Sequence, residues 1–466
     1  MPVSCPRGFI PYITGTQDSA MDILDKIKEH VVVFYRRLKY TCGNLTVHGP
    51  SYLVRRDVHV IYRVIYFIIY VNVWVAAVAT ILKYFNHYQE NTIRFTTRTD
   101  YLAWNTTFPS ITVCEIANID KIAMLSHYME ETKGLDRFIG EIAFFTGTCF
   151  SCLSICENEP RCTTNFSKII SEFTTPCKDL LISCKWNDEL IDCCKYFRPV
   201  QTEYGLCFSM NNKQVQGTQP IFVASNNMLQ MGTLELIASQ DYEAFLHSPE
   251  DVPFWNMEYD RRITIIYGSQ ATMLFSILDV VNSPEVISTL PETRKCRFPH
   301  ERPDKFLAYK YYSYSACISQ CRIDAQLEIC NCTSHLSPVV YKDVYCDLEG
   351  LKCLTKHYES FRKLKIPGAN DTGLDCECLS SCTESDYNVV SKKLDEPKRD
   401  LRAGSAVFVL GNRPNQRVTR QVARTQLDLV VATGNVFGLC FGGSLLSIVE
   451  LVYYLCLKRW KYSNGK

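Results

Sequence analysis

Two long stretches without a charged residue constrain this chain more than any other feature of its sequence. The first covers residues 64–82 and the second covers residues 429–449. A helix rises about 1.5 Å per residue, so each stretch is long enough to cross a hydrocarbon core about 30 Å thick. Buried core helices of this length without a charge are uncommon. The sequence therefore predicts two membrane spans, which place both termini on the same side.

The cysteines predict on which side of the membrane the segment between the spans lies. Twenty of the 24 cysteines are in this segment, whereas the basic residues flanking each span are equal in number on its two sides. Disulfides persist in oxidising compartments, and N-glycosylation sequons are modified only in the secretory lumen. The segment is therefore predicted to be extracellular, with both termini in the cytoplasm. Its sequons are at Asn105, Asn165, Asn331 and Asn370.

A zinc site is the alternative for two pairs of cysteines. Cys149 and Cys152, and likewise Cys376 and Cys378, have the close spacing of metal ligands. Zinc would leave the other cysteines of the segment and its four sequons unexplained. No metal site is therefore predicted.

Composition and motifs exclude several functional classes. The chain has 50 Lys and Arg against 49 Asp and Glu, so it lacks the basic excess of a nucleic-acid-binding domain. The segment between the spans has no HExxH, GxSxG or paired metal motif. No catalytic residue, cofactor or enzymatic activity is therefore predicted.

The segment between the spans combines helical and β-rich patterns, which is typical of an α+β domain. Helical periodicity favours helices over residues 118–140 and 309–330. Residues 149–207 are dense in cysteine and are interpreted as rich in loops. β-rich runs favour strands at 92–97, 110–114, 220–224, 263–267, 271–277, 387–391 and 406–410.

Glycines divide the second apolar stretch. Gly434, Gly438 and Gly442 recur every four residues and share one helix face, which is the pattern of a close helix-packing seam. Gly443 follows directly, and each glycine in mid-helix costs about 1 kcal/mol relative to alanine. The adjacent pair predicts a break in the helix. Irregular backbone at membrane depth persists only where it lines water or is buried in protein.

A polar strip follows the glycine pair. Ser444, Ser447 and Glu450 recur at intervals of three residues. A carboxylate that faces lipid costs about 2.5 kcal/mol or more, so the strip is expected to face an aqueous path. Rings of carboxylates and carbonyl groups from several subunits form cation filters. Because two helices cannot enclose a pore, the pattern predicts an oligomer.

A series of short motifs occurs in order along nearly the whole chain. They are Thr46-Val-His48-Gly49, Phe108-Pro-Ser-Ile-Thr-Val-Cys114, Cys184-Lys-Trp186, Asp192-Cys-Cys194, Tyr204-Gly-Leu-Cys207, Cys317-x3-Cys321, Cys330-x-Cys332, Cys376-x-Cys378-x3-Cys382 and Gly442-Gly-Ser444-Leu-Leu-Ser-Ile-Val-Glu450-Leu. In this ordered set the chain resembles the degenerin/epithelial sodium channel superfamily, and within it the arthropod pickpocket branch. The resemblance implies a two-transmembrane-helix membrane protein with a large disulfide-rich α+β extracellular domain, like that of acid-sensing channels.

The resemblance also implies a function. Members of the superfamily form homomeric or heteromeric trimers in the plasma membrane that pass Na⁺ in preference to K⁺ without voltage gating. They are commonly blocked by amiloride. The opening stimulus is expected to be extracellular, either chemical or mechanical, and the residues do not indicate which stimulus or ligand it is.

Several positions correspond to functional sites of the superfamily. His48 and Gly49 match the cytoplasmic gating motif, and Glu450 matches the acidic residue beyond the selectivity filter. The G-x-S filter itself is matched by Gly442, Gly443 and Ser444.

The remaining pore positions include a departure from the superfamily. Ala432 occupies the place of an aspartate in acid-sensing members, which puts proton gating in doubt. Four arginines between residues 413 and 424 form either a solvated strand face or a positive field at the outer mouth. The other positions expected to line the pore are Asp428, Gly434, Gly438 and Ser447.

The resemblance implies disulfide pairs as well. Those around a thumb-like helix are Cys296–Cys382, Cys317–Cys378, Cys321–Cys376, Cys330–Cys353 and Cys332–Cys346. Two further implied pairs are Cys114–Cys207 and Cys184–Cys194. The partners of Cys149, Cys152, Cys156, Cys162, Cys177 and Cys193 stay open. The cysteines expected to be reduced are Cys5, Cys42, Cys440 and Cys456.

The expected organisation has five segments. They are a cytoplasmic region at 1–57, a first span at 58–83, an extracellular domain at 84–427, a pore-lining span at 428–457 and a cytoplasmic tail at 458–466. Three alternatives to a conducting subunit stay open. They are an accessory subunit that does not conduct alone, a ligand-binding receptor of the same architecture, and an ATP-gated channel of the purinergic type.

Overall fold

The chain divides into two compact units, one of Met1–Ile93 with Val422–Lys466 and one of Arg94–Gln421. The computed structural model describes residues 31–32, 35–36, 39–54, 57–90, 92–100, 104–128, 134–157, 159–162, 166, 170, 174–215, 222–225, 231–366, 373–383, 385–396 and 403–454. The apolar stretches lie in the first unit and the cysteine-rich segment lies in the second.

The helices described are α1 (Pro50–Val54), α2 (Val60–Glu90), α3 (Ile119–Tyr128), α4 (Asp136–Ala143), α5 (Phe150–Ser154), α6 (Cys177–Leu180), α7 (Cys193–Tyr196), α8 (Pro284–Ile287), α9 (Pro291–Arg294), α10 (Tyr314–Cys330), α11 (Leu348–Lys356), α12 (Tyr358–Arg362), α13 (Gln426–Phe441) and α14 (Leu445–Val452). The strands described are β1 (Ile93–Arg98), β2 (Thr106–Thr107), β3 (Ser110–Ala117), β4 (Leu181–Trp186), β5 (Glu189–Ile191), β6 (Arg198–Thr202), β7 (Gly205–Met210), β8 (Val223–Ser225), β9 (Thr233–Ala238), β10 (Asp241–His247), β11 (Arg262–Ile265), β12 (Gln270–Asn282), β13 (Cys296–Arg297), β14 (Ser380–Ser381), β15 (Asp386–Asp395), β16 (Gly404–Leu410) and β17 (Arg417–Val422).

Two sheets form the centre of the second unit. The larger has the strand order β1-β17-β12-β16-β9-β4-β5, with β15 also paired to β12, and the smaller has the order β11-β10-β3-β7-β6. Burial alternates along β9, β12 and β16, because successive side chains of a strand point to opposite faces. One core joins residues of both sheets, including Phe108, Ile111, Val113, Leu236, Phe275 and Phe408. This core holds the second unit together.

The long helix α10 begins at Tyr314, five residues later than the predicted start at Tyr309. Ser313 precedes it in extended backbone and accepts a hydrogen bond from the Ala316 N–H at 3.2 Å, which caps the first turn. Asn331 ends the helix in the left-handed region, with φ of 55°. A polar cap set the start of the helix, whereas the apolar periodicity extended further towards the N-terminus.

The predicted helix over residues 118–140 is not continuous. The structure has two helices in this part of the chain, α3 and α4, and residues 129–133 between them lie outside the described part. Phe138, Ile139 and Ile142 of α4 are buried in a second core, which α11 and α12 also enter. The helices of the second unit therefore pack around a core of their own.

Ten disulfides link residues of the second unit. Around α10 they are Cys296–Cys382, Cys317–Cys378, Cys321–Cys376, Cys330–Cys353 and Cys332–Cys346, the same pairs that the resemblance implies. The others are Cys114–Cys207, Cys149–Cys152, Cys156–Cys162, Cys177–Cys194 and Cys184–Cys193. Cys42 and Cys440 are free thiols, and Cys5 and Cys456 lie outside the described residues.

The implied pair Cys184–Cys194 is wrong, and the interpretation of residues 149–207 as rich in loops is wrong from Cys177 onwards. This later part consists mainly of α6, α7 and strands β4 to β7. In the β4–β5 hairpin, Cys184 lies opposite Ile191, and Cys193 is two residues further along the chain. Asp192 continues the extended backbone beyond β5, so Cys193 at the start of α7 returns to the side of Ile191 and bonds to Cys184. Cys194 instead bonds to Cys177 at the start of α6.

A buried arginine joins α10 to its neighbours. The Arg322 side chain is 2% exposed and forms an ion pair with Glu203. Its guanidinium donates to the Phe361 carbonyl at 2.9 Å and to Asn256 Oδ1, and it lies 4.9 Å from the ring centroid of Trp255. A buried charge needs such partners, because leaving water is costly for an ion.

One described helix, α2, is long and apolar enough to cross a membrane alone, with a mean hydropathy of 2.2. Helices α13 and α14 meet the same criterion only as a pair, and they are bent by 73° where they meet. The part of the chain that the structure describes therefore has one clear candidate span, or two if the bent pair is a single span. The arrangement of two spans stays a prediction.

Candidate functional site

The predicted helix break lies between α13 and α14, at residues 442–444. Gly442 ends α13 in the left-handed region, with φ of 59°, and its N–H donates to the Gly438 carbonyl at 2.8 Å. Ser444 precedes α14 in extended backbone, and its N–H donates to Ser447 Oγ at 3.2 Å. The G-x-S sequence is therefore a short non-helical segment inside an apolar stretch.

Both glycines of the break are required, for different reasons. A Cβ on Gly442 would lie 2.6 Å from Nδ1 of His48. The left-handed backbone of Gly442 is also unfavourable for any residue that has a Cβ. A Cβ on Gly443 would lie 2.1 Å from the Phe437 ring. The backbone of the break is thus closely covered by an imidazole and by an aromatic ring.

The predicted gating motif contacts the break directly. The His48 N–H donates to the Phe441 carbonyl at 2.8 Å, one of the carbonyl groups that the end of α13 leaves without a helical partner. Gly49 is buried with φ of 118°, and a Cβ there would lie 2.3 Å from the Tyr70 ring of α2. The structure therefore brings together residues that are almost 400 positions apart in the sequence.

Aromatic side chains attach α13 to α2 beside the break. Phe441 is 1% exposed, and its ring centroid lies 4.4 Å from that of Trp74 and 6.1 Å from that of Tyr70. Phe437 packs on Phe441 at 5.4 Å. Because ring packing of this kind is stabilising, the end of α13 is held in place on the surface of α2.

The carboxylate of Glu450 is bound by the segment that precedes His48. Thr46 Oγ1 donates to Glu450 Oε2 at 2.7 Å, and the Thr46 N–H donates to the same oxygen at 3.3 Å. Ser447 Oγ lies 3.1 Å from Thr46 Oγ1. The polar strip of the sequence is therefore a connected set of hydrogen bonds, and Thr46 is a member that sequence reasoning missed. Its place in the Thr46-Val-His48-Gly49 motif was the available signal.

The N-terminal part of α13 is more sparsely packed. Asp428 accepts hydrogen bonds at Oδ2 from the N–H and the hydroxyl of Thr425, at 2.7 and 3.0 Å, and so caps its own helix. Ala432 follows one turn later on α13. A Cβ on Gly434 would meet nothing within 4 Å, and one on Gly438 would meet only the Gly443 carbonyl. Within the described residues, the predicted glycine seam is therefore not covered by another helix of this chain.

Two arginines that precede α13 are packed inside the second unit. Arg417 forms an ion pair with Asp279 at 2.9 Å. Arg420 is 8% exposed and donates to the Cys382 carbonyl at 3.1 Å. Burial, with Arg294 nearby, lowers the pKa of the Arg420 guanidinium. The predicted solvated strand face is therefore wrong for Arg420, because this side chain is buried against Cys382, which is disulfide-bonded to Cys296.

The sequons fall into two groups. Asn105 and Asn331 are exposed, as glycosylation requires. Asn165 and Asn370 lie outside the described residues. Glycosylation at all four positions stays a prediction.

Comparison with known proteins identifies the family. A family model described as "Amiloride-sensitive sodium channel" matches residues 41–454, nearly the whole chain. The chain belongs to this family. Because the family consists of ion channels, this member is not an enzyme.

Relatives of this channel-family member agree with the assignment. It is 22% identical over 466 residues to "Sodium channel protein Nach" of Drosophila melanogaster, with 89% of this chain and 85% of that protein covered. It is 22% identical over 346 residues to "Pickpocket protein 11" of the same organism, with 66% and 62% covered. It is 25% identical over 307 residues to "Bile acid-sensitive ion channel" of Homo sapiens, with 58% and 57% covered. The resemblance to the superfamily and its pickpocket branch is confirmed.

Proposed function

We propose that this chain is a subunit of a trimeric, sodium-selective cation channel that opens without voltage gating. The trimer is homomeric or is formed with related subunits, and amiloride blocks it. Its stimulus is extracellular, chemical or mechanical. No cofactor takes part, and Na⁺ is the permeant ion.

The proposed topology follows from the apolar stretches and the disulfides. The spans are residues 58–83 and 428–457 in the plasma membrane, and residues 84–427 form the extracellular domain. Residues 1–57 and 458–466 are then cytoplasmic. Ten disulfides in the second unit support this assignment, since they persist in an oxidising space.

One observation carries the proposal. The backbone break at Gly442–Ser444 lies inside an apolar helix pair, and His48 and Glu450 both lie beside it. Irregular backbone and a carboxylate are stable at membrane depth only where they meet water or protein. A pore shared by several copies of the chain supplies that water, and the break then supplies the carbonyl and hydroxyl groups of a filter.

Recording from oocytes that express the full chain tests the proposal. We expect an inward current that disappears when external Na⁺ is replaced by a large organic cation and that amiloride reduces. Ser444→Ala should change the Na⁺/K⁺ permeability ratio by about fivefold, the factor that corresponds to one lost hydrogen bond. Ser288→Ala is the matched control, because Ser288 is exposed in the second unit and its hydroxyl donates to the nearby Glu285 carbonyl.

The same recording separates the alternatives. Current that appears only with a related subunit indicates an accessory role, and ATP-evoked current indicates a purinergic-type channel. The proposal is wrong if the chain reaches the cell surface but passes no Na⁺ current, alone or with related subunits, under acid, mechanical load and chemical stimuli.

A further inference from the structure

Thr46 holds a position that neither the glycine break nor the polar strip predicts. Two donors from this residue, its N–H and its hydroxyl, converge on a single oxygen, Glu450 Oε2, at 3.3 and 2.7 Å. Convergent donors fix the orientation of a carboxylate, and hydrogen bonds to a charged acceptor are about twice as strong as those between neutral groups.

The direction of the neighbouring hydrogen bonds follows from the number of protons. The Thr46 hydroxyl has one hydrogen, and an ionised carboxylate can only accept, so this hydrogen belongs to the bond with Glu450. Ser447 must then donate to Thr46 Oγ1 across the 3.1 Å that separates them. Ser447 Oγ in turn accepts from the Ser444 N–H at 3.2 Å. A continuous chain of hydrogen bonds thus runs from the break to the carboxylate.

The position of Thr46 is itself fixed by its neighbours. Two residues further on, the His48 N–H bonds to the Phe441 carbonyl at 2.8 Å, and Gly49 is closed against the Tyr70 ring. Ser447, whose hydroxyl donates to Thr46 Oγ1, is 3% exposed. The donors therefore reach Glu450 from a segment that His48 and Gly49 attach to α13 and α2, and such support orients a charged group.

The second oxygen of the carboxylate is in a different situation. In the part of the chain that the structure describes, Glu450 Oε1 has no hydrogen-bond or ion-pair partner. We propose that Thr46 is a positioning residue that occupies Oε2 and leaves Oε1 of each Glu450 to the permeating cation. This inference rests on the proposed channel function and adds the residue that sets the geometry of its acidic ring.

Removing the Thr46 hydroxyl should change selectivity rather than merely expression. Without it the carboxylate can rotate and offer both oxygens, so the ring no longer presents one fixed oxygen per subunit. We expect Thr46→Val to lower the Na⁺/K⁺ permeability ratio by about tenfold, as for loss of a charged hydrogen bond. Thr46→Ser, which keeps the hydroxyl, should restore the wild-type ratio.

Two further variants complete the recording experiment. Thr80→Val is the matched control, because Thr80 Oγ1 donates only to the Ala76 carbonyl within α2. Glu450→Ala tests the connection: in its background, Thr46→Val should have little additional effect, since the oxygen that accepts from the Thr46 hydroxyl is already gone. Equal selectivity in wild type and Thr46→Val, or an equal shift in Thr46→Ser, overturns the proposal.

A cross-linking experiment tests the same contact without any current. Thr46→Cys with Ser447→Cys places two thiols where hydroxyl oxygens are 3.1 Å apart. In membranes from cells that express the full chain, copper(II) phenanthroline should oxidise them to a disulfide, taking up two electrons while two protons are released. After proteolysis between Cys207 and Cys296, a stretch that none of the ten disulfides crosses, the two fragments should stay linked until a thiol reductant is added.

The two experiments distinguish the possible failures. A cross-link with no Na⁺ current from any variant means that the channel function is wrong while the contact exists. Current without a cross-link, when Thr46→Cys and Ser447→Cys are each shown to react with a maleimide, overturns the role of Thr46 and leaves the channel function intact.

Discussion

Replacing the buried Arg322 by methionine should destabilise the second unit strongly. The substitution leaves the Glu203 carboxylate, 10% exposed, without its cation, and leaves the Phe361 carbonyl and the Asn256 amide oxygen without their donor. Breaking a buried pair in this way costs about 3–5 kcal/mol, because an uncompensated charge stays in the interior. For a unit of this size, that loss should lower the melting temperature by at least about 5 °C.

The measurement is thermal unfolding of the detergent-solubilised full chain at one fixed scan rate, because large disulfide-bonded proteins often unfold irreversibly. Adding Glu203→Met to Arg322→Met removes the orphaned charge and should recover at least half of the loss. Arg98→Met is the control, since Arg98 and Asp100 form an ion pair that is more than half exposed on both sides. An Arg322→Met protein that melts with the wild type would refute the reasoning.

Three further predictions follow from other parts of the chain. Gly442→Ala should abolish current, and adding His48→Ala should restore only part of it, because the left-handed backbone still disfavours a Cβ; full restoration would show that the clash with the imidazole was the whole effect. Burial lowers the pKa of His335 to about 4 from an ordinary value of 6.5, so the unfolded chain binds more protons in that window and stability falls as the pH drops through it. His335→Gln should therefore lose less melting temperature between pH 7 and pH 5 than the wild type, and an equal loss would contradict this. Cys193→Ser should free the Cys184 thiol for alkylation, which mass spectrometry of the denatured chain detects, and a different free thiol would disprove the pairing.

The helix break shows how far local sequence can lead. Adjacent glycines in the second apolar stretch lower helix propensity at one place, and the structure breaks the helix between Phe441 and Leu445. Cys317 and Cys321 of α10 are four residues apart and therefore share a helix face. The family resemblance implied their bridges to one short segment, and the structure has these bridges. Features that depend on neighbouring residues, or on the free-energy cost of glycine in a helix, could therefore be predicted before the fold was known.

Adjacent cysteines show the opposite case. Cys193 and Cys194 have the same sequence environment, and only the register of the β4–β5 hairpin directs the first to Cys184 and the second to Cys177. Sequence spacing does not contain this register. A shift of one residue in the strand register turns every side chain to the other face. The positions of the cysteines in the sequence therefore could not decide whether Cys193 or Cys194 bonds to Cys184.

The apolar stretches, the cysteine-rich α+β segment between them and the place of the break could be predicted from composition and short-range periodicity. That Thr46 binds Glu450, which is 404 residues away, and that Arg322 and Arg420 are buried became known only with the fold. Hydrogen bonds and burial depend on which distant segments the fold brings together. A threonine or an arginine has no local signal that states which partner it will meet.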